Sequence, residues 1–471
     1  MLFCSLSFLF VFLPICLFIY YIVPNRYKNI ILLLFSILFY TWGEPKFILI
    51  LLLINYICYI LGLAINFFDS KKKYKCKRIM FILSISFILL VLIYFKYSQF
   101  FIKNVNKIFS TNFIFKSIHM PIGISFFTFQ IISYLVDLYR KKIKIQKSYL
   151  KFSLYILFFP QLIAGPVIQY SSIEKYLENR KIYLSKIALG IEKFIIGLGK
   201  KVIIANQLNI ITTSIFNDIS LCNYSSIILL IGIVSYTFEI YFDFSGYSDM
   251  AIGLSKFFGF DLDENFNYPY ISKSITDFWK RWHISLSNFF KEYVYIPLGG
   301  NQVGKIRWII NMFVVWVLTG LWHGAAWNFI IWGIYYCILL VLEKTCLRKI
   351  MNRIPNLIKF IITFILINIG WMIFRFNNLN DLMTVLFSVI TNNGNVGFLA
   401  FLDKNPNVIF ALPHIVLALL FSTPYIKNLN NHFINNRVYI ILKIVILIII
   451  FIVAVSYIVS FNYNSFIYFE F

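Results

Sequence analysis

The chain has 471 residues, of which 60% are hydrophobic and only 13% are charged. Soluble domains carry about a quarter charged residues, so this composition excludes a soluble globular protein and indicates an all-α polytopic integral membrane protein. The formal net charge of +24 comes from short basic segments between apolar runs. The positive-inside rule and anionic lipid explain such segments, so we expect membrane lipid as a partner and no nucleic acid.

Apolar runs recur along the chain, each long enough or nearly long enough for a helix to cross a hydrocarbon core of about 30 Å. They are residues 1–23, 46–68, 79–100, 227–242, 325–342, 356–374 and 436–461. Weaker runs at 29–42, 120–138, 188–205, 308–321 and 406–424 bring the expected number of transmembrane helices to roughly eleven or more. The first run lacks a basic start and a small-residue cleavage site, so we interpret it as a retained span.

Basic clusters predict the orientation of the first spans. They occupy residues 25–28, 71–78 and 140–151. If all three are cytoplasmic, the N-terminus faces outside, and the loops at 43–45 and 102–119 also lie outside. The parity is consistent across the three clusters.

The pattern changes beyond residue 150. Residues 158–170, FFPQLIAGPVIQY, contain two prolines and a glycine, which predicts a re-entrant segment shielded by protein. Residues 171–187 predict an interfacial amphipathic helix. Residues 243–311 are the most polar part of the chain, and we expect a folded insert at or near the membrane surface. No internal repeat is visible.

Two of the five histidines stand out as candidates for chemistry. His283 lies in DFWKRWHISLSNFF, and His323 lies in GLWHGAAW, within an apolar run. An ionisable side chain inside a span is rare and usually faces a cavity or a pathway, so position alone favours a functional role for His323 over a structural one. Burial disfavours the charged imidazole, and the neutral form is the one that a general base requires.

The surroundings of His323 leave its chemistry open. Small neighbours permit either close helix packing or the approach of a substrate; they are Gly320, Gly324, Ala325 and Ala326. Trp322 and Trp327 are candidates for the walls of such a cavity. Position alone does not decide between a base for acyl transfer and a proton relay in a transporter.

The segment before His283 supplies further candidates. Asp277 and Arg281 have the i,i+4 spacing of a helical ion pair, while Lys280, Arg281 and Lys291 are suited to contact the phosphates of a nucleotide-like donor. The full set of candidate substrate- or donor-binding residues is Lys280, Arg281, Trp279, Trp282, Asp277, Asn288, Trp322 and Trp327.

Other sites are not supported by the residues. The carboxylates of 243–249 match no calcium loop, and the seven cysteines form no C-x-x-C pair, so we expect no metal. No phosphate-binding G-x-x-x-x-G-K-[ST] and no G-x-S-x-G nucleophile motif occurs.

Five stretches together resemble the membrane-bound O-acyltransferases, in the branch of the alginate O-acetyltransferase membrane subunit. In chain order they are PIGISFFTFQIISYLVDLYR (121–140), FFPQLIAGPVIQY (158–170), FDFSGYSDMAIGLSKFFGF (242–260), NFNYPYISKSITDFWKRWHISLSNFFKEYVYIPLGGN (265–301) and TGLWHGAAWNFIIWGIYY (319–336). The resemblance implies a helical fold with a central funnel or tunnel, formed by one membrane domain. Its parts would be N-terminal helices at 1–120, a catalytic core at 121–345 and C-terminal helices at 346–471.

The resemblance also implies roles for the two histidines. The histidine of the WHG block, His323, corresponds to the catalytic one, and His283 corresponds to a second essential position on the donor side. The expected donor substrate is acetyl-coenzyme A, with no permanently bound cofactor. The expected acceptor is an extracytoplasmic polysaccharide, reached directly or through a secreted or periplasmic partner acyltransferase, and the expected location is the bacterial plasma membrane.

Two alternatives remain at this point. A polysaccharide or lipid-linked-sugar transporter would also have a polar cavity and an intramembrane histidine, although transporters often show repeated halves. Within the enzyme class, a related branch transfers D-alanine to teichoic acid. The long DFWKRWH and PLGGN blocks favour the acetyltransferase branch.

Overall fold

The computed structural model of the chain describes residues 2–114, 118–163, 165–217, 223–433 and 436–460. Regular structure in these residues is helical, apart from one isolated bridge between Tyr224 and Val396. Cys222 and residue 461 of the last predicted span lie outside them. The α-helices are α1 (Leu13–Ile22), α2 (Lys28–Gly43), α3 (Ile48–Ser70), α4 (Tyr74–Leu92), α5 (Ser98–Phe109), α6 (Ile124–Tyr139), α7 (Tyr149–Leu157), α8 (Phe159–Leu162), α9 (Tyr170–Glu178), α10 (Leu184–Gly199), α11 (Asn206–Phe216), α12 (Ser226–Phe257), α13 (Ile275–Arg281), α14 (Ile284–Phe290), α15 (Lys305–His323), α16 (Trp327–Lys344), α17 (Arg348–Arg353), α18 (Asn356–Arg375), α19 (Leu379–Thr391), α20 (Phe398–Lys404), α21 (Pro406–Ala411), α22 (Pro413–Phe421), α23 (Tyr425–His432) and α24 (Arg437–Ser460).

Seven helical segments in the described residues are long and apolar enough to cross a membrane. They are Ile48–Ser70, Tyr74–Phe109, Ser226–Phe257, Lys305–His323, Trp327–Lys344, Asn356–Arg375 and Arg437–Ser460. An eighth is added if the pair Phe398–Lys404 and Pro406–Phe421, bent by 108°, counts as one span. The chain is therefore an all-helical, multi-pass membrane protein. The first predicted span is shorter than expected, because its apolar helix covers only Phe8–Ile22.

The helices pack as two compact units. The first, here the N-terminal unit, comprises Met1–Phe194 and Met250–Asp263, and the second, the C-terminal unit, comprises Ile195–Asp249 and Glu264–Phe471. These units are defined by contacts between residues. The division predicted at residues 121 and 346 was based on hydropathy and on the resemblance, and it stays a prediction.

The basic clusters of the N-terminal unit meet at one end of its helices. Asp69 pairs with Lys77 at 3.0 Å and with Lys141 at 2.9 Å, which joins the second and third clusters. The end of α9 joins the first cluster to the third: the carboxylate of Glu178 pairs with Lys151 at 2.5 Å, and the guanidinium of Arg180 donates to Asn29 beside the first cluster.

This convergence is what loops on one side of a membrane require. The two loops predicted on the other side also meet, since the imidazole Nε2 of His119 lies 2.9 Å from the carboxylate of Glu44. The side of the membrane that each end faces stays a prediction.

The broken segment 158–170 is interior to the N-terminal unit. Pro160 allows only the short helix α8, and Phe158 through Leu162 are buried. A side chain of α2 pairs with one backbone N–H at this break, because the Phe159 N–H donates to the hydroxyl of Ser36 at 3.1 Å. The break and its burial agree with the sequence, whereas its path in the membrane stays a prediction.

Two sequence-based boundaries are wrong. The predicted helix 171–187 is two helices, because α9 ends at Glu178 and α10 begins at Leu184. Arg180 lies in the break and donates from Nε to the Tyr20 hydroxyl at 3.0 Å, an interaction between distant residues that local amphipathicity does not reveal. The predicted insert 243–311 also begins too early, since residues up to Phe257 continue α12.

Acidic side chains explain why the predicted span 227–242 ends before α12 does. Asp243 forms a buried ion pair with Lys201, and Asp249 pairs with Lys200 at 2.7 Å. Glu239 accepts hydrogen bonds from the Asn209 side chain at 2.7 Å and from the Thr212 hydroxyl at 2.6 Å. The sequence analysis did not select this residue. Paired charges can occupy an apolar interior that isolated charges cannot.

Replacing Asp243 with Asn removes the charge that pairs with the buried ammonium of Lys201. We expect the free energy of unfolding to fall by about 3–5 kcal/mol, because truncating one partner of a buried ion pair leaves the other charge poorly compensated. Denaturant-induced unfolding in detergent micelles measures this loss.

The matched control is Asp277→Asn, which removes a carboxylate whose pair with Arg281 is partly exposed. Its effect should be about 1 kcal/mol or less. Equal losses in the two variants would contradict the assignment of a stabilising role to the Asp243–Lys201 pair.

Candidate active site

Helix α13 begins at a well-capped N-terminus in the C-terminal unit. The Ser274 hydroxyl accepts from the Asp277 N–H at 3.1 Å, as in a capping box. The carboxylate of Glu343, from the end of α16, accepts from the N–H groups of Ile275 at 2.8 Å and Thr276 at 3.2 Å. These contacts fix the position of the short helix that leads to His283.

His283 connects α13 to α14 in an unusual backbone conformation. Its φ of +43° and ψ of +55° lie in the left-handed region, which a residue with a Cβ adopts only at a cost in free energy. The side chain is fully buried. Its ring packs edge-on against Phe244 at 4.6 Å and against Trp322 at 5.6 Å between ring centroids.

The two nitrogens of His283 have different surroundings. Nδ1 lies 3.2 Å from Oδ1 of Asn265, whereas Nε2 is buried and has no hydrogen-bond partner among the described residues. Leaving a buried acceptor unpaired costs about 1–3 kcal/mol. His283 lies between the spans α12 and α15, and burial lowers its imidazole pKa from 6.5 to about 3, so the ring is neutral near pH 7.

His323 is the last residue of α15 and is almost fully buried. Its ring contacts Trp332 of α16 at 4.9 Å and Phe374 of α18 at 5.2 Å, both edge-on. Asn328 ties these helices together by donating from its side chain to the Phe374 carbonyl at 2.9 Å. Three helices therefore define the position of this imidazole.

Trp322 links the two histidines. Its ring contacts His323 at 4.9 Å and His283 at 5.6 Å, so both imidazoles belong to one group of rings. We call this group the aromatic cluster; it consists of His283, His323, Trp279, Trp282, Trp316, Trp322, Trp332, Tyr336, Trp371 and Phe374. The structure thus brings together the two histidines that the sequence had selected 40 positions apart.

The sequence analysis missed several members of the cluster. Trp371 packs against Trp282 at 4.7 Å and Phe374 packs against His323, yet both lie on α18, outside the stretches that carried the resemblance. Their only sequence signal was an apolar run with aromatic residues, which does not distinguish them from lipid-facing positions. Asn265 was likewise not selected.

The candidate tryptophans divide into two groups. Trp279, Trp282 and Trp322 are buried in the aromatic cluster. Trp327 is 58% exposed, and its role as a wall of a cavity stays a prediction. It is the first residue of α16, after the extended residues that follow His323.

The candidate polar residues lie on α13, apart from Asn288 on α14. Arg281 pairs with Asp277 at 2.9 Å, which confirms the predicted i,i+4 interaction. Lys280 and Asn288 are exposed, so the side chains of both are accessible to a ligand. Among the described residues, no group of three His, Cys, Asp or Glu side chains is arranged to hold a metal ion.

The small residues near His323 serve helix packing. A Cβ on Gly320 would lie 2.2 Å from the Phe329 carbonyl oxygen, and one on Gly324 would lie 2.2 Å from the Phe329 ring. The space around both glycines is already filled by α16. Of the two uses that the sequence left open, the structure therefore assigns these glycines to close packing and not to substrate space.

The chain is similar to known proteins over most of its length. A model of the membrane-bound O-acyltransferase family matches residues 37–381. The probable alginate O-acetylase AlgI of Pseudomonas aeruginosa is 40% identical over 383 residues, covering 80% of this chain and 73% of that protein. The peptidoglycan O-acetyltransferase of Helicobacter pylori is 36% identical, covering 82% and 79%. The teichoic acid D-alanyltransferase of Bacillus subtilis is 32% identical, covering 54% and 68%.

Gly320→Ala should separate α15 from α16 near His323. The added methyl group meets a carbonyl oxygen that belongs to the backbone and cannot rotate away, so we expect a loss of about 1–3 kcal/mol in stability. The thermal unfolding midpoint in detergent measures the loss. The control is Gly397→Ala, where a Cβ meets no heavy atom within 4 Å. Unfolding midpoints that fall equally in both variants would contradict the packing role.

Proposed function

This chain belongs to the membrane-bound O-acyltransferase family, and on that premise we propose that it moves an acetyl group from cytoplasmic acetyl-coenzyme A to hydroxyl groups of an extracytoplasmic polysaccharide. The observation that carries the proposal is the pair of buried histidines joined by Trp322 inside the aromatic cluster. Relatives named for the O-acetylation of alginate and of peptidoglycan support acetyl as the group and a polysaccharide as the acceptor.

His323 is the proposed general base. Its imidazole takes the proton of the acceptor hydroxyl, and the hydroxyl oxygen attacks the thioester carbonyl. The carbon–sulfur bond then breaks, and the imidazolium returns the proton to the leaving sulfur, which releases coenzyme A as the thiol. A positioned base typically contributes about 10²–10⁴-fold to the rate. The surrounding rings of Trp332 and Phe374 exclude water, which would otherwise hydrolyse the thioester.

His283 is the proposed donor-side residue. Its neutral ring offers Nε2 as an acceptor to a group of the donor or of the reacting complex. Lys280 is the proposed contact for the phosphates of coenzyme A, because it is exposed on α13, three residues before His283. Arg281 contributes charge nearby but keeps its pair with Asp277.

The wider architecture of the proposal follows the family. A funnel or tunnel through a fold of eleven or more crossings would connect the cytoplasmic donor to the outer acceptor across a bacterial plasma membrane. A secreted or periplasmic acyltransferase would receive the acetyl group where the transfer is indirect. The transporter alternative gives way because the family consists of acyltransferases.

Transfer of D-alanine to teichoic acid is the second candidate within the enzyme class. It draws on the similarity to a teichoic acid D-alanyltransferase, which covers 54% of this chain against 80% for the alginate O-acetylase. Incubating membranes with labelled acetyl-coenzyme A, and separately with cell extract supplied with labelled D-alanine, separates acetyl transfer from D-alanyl transfer.

His323→Ala should reduce acetyl transfer by at least about 10²-fold while the protein still accumulates in membranes, because it removes the proposed base. His283→Ala should also reduce transfer. The measurement is the transfer of labelled acetyl from acetyl-coenzyme A to acceptor glycan, normalised to the amount of folded protein. The control His432→Ala alters an exposed imidazole at the end of α23 and should keep full activity. Full activity of His323→Ala would dismiss His323 as the base.

Lys280→Glu should raise the KM for acetyl-coenzyme A by about tenfold or more at low salt, since reversing one charge weakens the attraction for phosphates. The matched control is Lys273→Glu, which reverses an exposed lysine seven positions earlier in the same segment. Initial rates at varied donor concentration provide KM and kcat. A KM that changes equally in both variants would remove Lys280 from the proposed donor site.

A further inference from the structure

We infer that Asn265 is a positioning residue for His283: its side-chain oxygen holds the imidazole as the Nδ1–H tautomer and keeps the lone pair on Nε2. The relevance of this tautomer to acyl transfer rests on the proposed function. The tautomer itself follows from hydrogen bonds within the C-terminal unit.

The identity of the atom that faces His283 is fixed by the backbone. The Ser285 N–H points at the same Asn265 side-chain atom, at 3.1 Å, and the Ser285 hydroxyl lies 2.9 Å from it. A backbone N–H can only donate, so this atom must be the carboxamide oxygen and not the nitrogen. Rotating the amide by 180° would place its NH₂ group against that N–H.

The protonation state of His283 follows from this assignment. An amide oxygen only accepts, and Nδ1 of His283 lies 3.2 Å from it, which favours a proton on Nδ1. The Ser285 hydroxyl also lies 3.5 Å from Nδ1, but its shorter contact, 2.9 Å, is with the Asn265 oxygen. In a neutral imidazole the other nitrogen then has the lone pair. Burial keeps the ring neutral, which leaves Nε2 as a hydrogen-bond acceptor and a potential base.

Asn265 also holds the backbone around His283. Its main-chain carbonyl accepts from the Ile284 N–H at 2.9 Å, so Asn265 contacts the residue after His283 as well as the imidazole itself. Its side chain is buried, at 1% exposed. One asparagine therefore stabilises the left-handed backbone of His283 and orients its ring.

This arrangement directs the free nitrogen to where a partner is missing. Nε2 of His283 is buried and has no partner among the described residues, whereas Nδ1 lies 3.2 Å from the Asn265 oxygen and 3.5 Å from the Ser285 hydroxyl. Without the Asn265 oxygen, either nitrogen can carry the proton, and the ring loses the bond that sets its rotation. An incorrect tautomer presents an N–H where the reaction needs a lone pair.

The test compares three variants in detergent or lipid with ¹⁵N-labelled histidine. In Asn265→Leu the oxygen is lost, whereas Asn265→Asp keeps an acceptor at the same place. Asn267→Leu is the matched control, because Asn267 lies two residues on and its side chain is exposed. Histidine ¹⁵N spectra distinguish a protonated ring nitrogen from one with a lone pair, and His283→Gln identifies the signals of His283.

We expect the unmodified chain, Asn265→Asp and Asn267→Leu to show a protonated Nδ1 in His283. Asn265→Leu should lose this signature, and its kcat should fall by about tenfold or more with little change in KM, as for loss of an oriented acid–base group. A proton on Nε2 of His283 in the unmodified chain overturns the inference. Retention of both the Nδ1–H signal and kcat in Asn265→Leu also overturns it.

The spectra separate this inference from the proposed function. The tautomer is read without turnover, so an unmodified chain that shows the Nδ1–H signal but transfers no acetyl group contradicts the proposed function alone. If Asn265→Leu does not fold, the spectra of the unmodified chain and of Asn265→Asp still decide the tautomer.

Discussion

The close approach of α15 and α16 is the constraint on which the candidate site depends. A Cβ on Gly333 would lie 2.2 Å from the Trp316 carbonyl oxygen, and one on Gly320 would meet the Phe329 carbonyl at the same distance. Helices in lipid gain little from burying apolar surface against each other, so they rely on small residues that let backbones touch. This contact holds the Trp332 ring of α16 against His323 at the end of α15.

A second constraint is the absence of water as a partner for polar groups in the hydrocarbon region. Along α12 the chain meets it by pairing, with Asp243 against Lys201 and Asp249 against Lys200. His283 shows the opposite treatment, because Nδ1 has Asn265 while Nε2 has no partner among the described residues. Nδ2 of Asn265 and Nε1 of Trp332 are likewise buried without a hydrogen-bond partner among the described residues, so unpaired polar atoms characterise this region and not His283 alone.

The aromatic cluster contains both histidines that are proposed to take part in the reaction. Its rings pack around both buried imidazoles, and burial favours the neutral form of His283. Relatives named for different polymers, alginate and peptidoglycan, each align over about four fifths of this chain. The proposed function assigns the acyl-transfer step to this buried site.

The sequence alone determined the membrane class, the position of most spans and the two histidines. The class and the spans follow from composition and the length of apolar runs, and His323 follows from the high cost of an imidazole inside a span; these are local properties. His283 lies between spans and was selected from its own segment and from the resemblance. Resemblance added the reaction class and the order of the motifs. The Asp277–Arg281 pair was also predictable, because its four-residue spacing is set by the helix itself.

Only the tertiary structure decided what surrounds the histidines. Asn265 lies 18 positions before His283, and Phe374 of α18 lies 51 positions after His323, so no pattern within one helix reveals either contact. The structure also assigned Gly320 to helix packing and showed that Trp327 is exposed. Such outcomes depend on which helix faces which, and that choice is made by packing and hydrogen bonding between distant segments, not by the periodicity of any one of them.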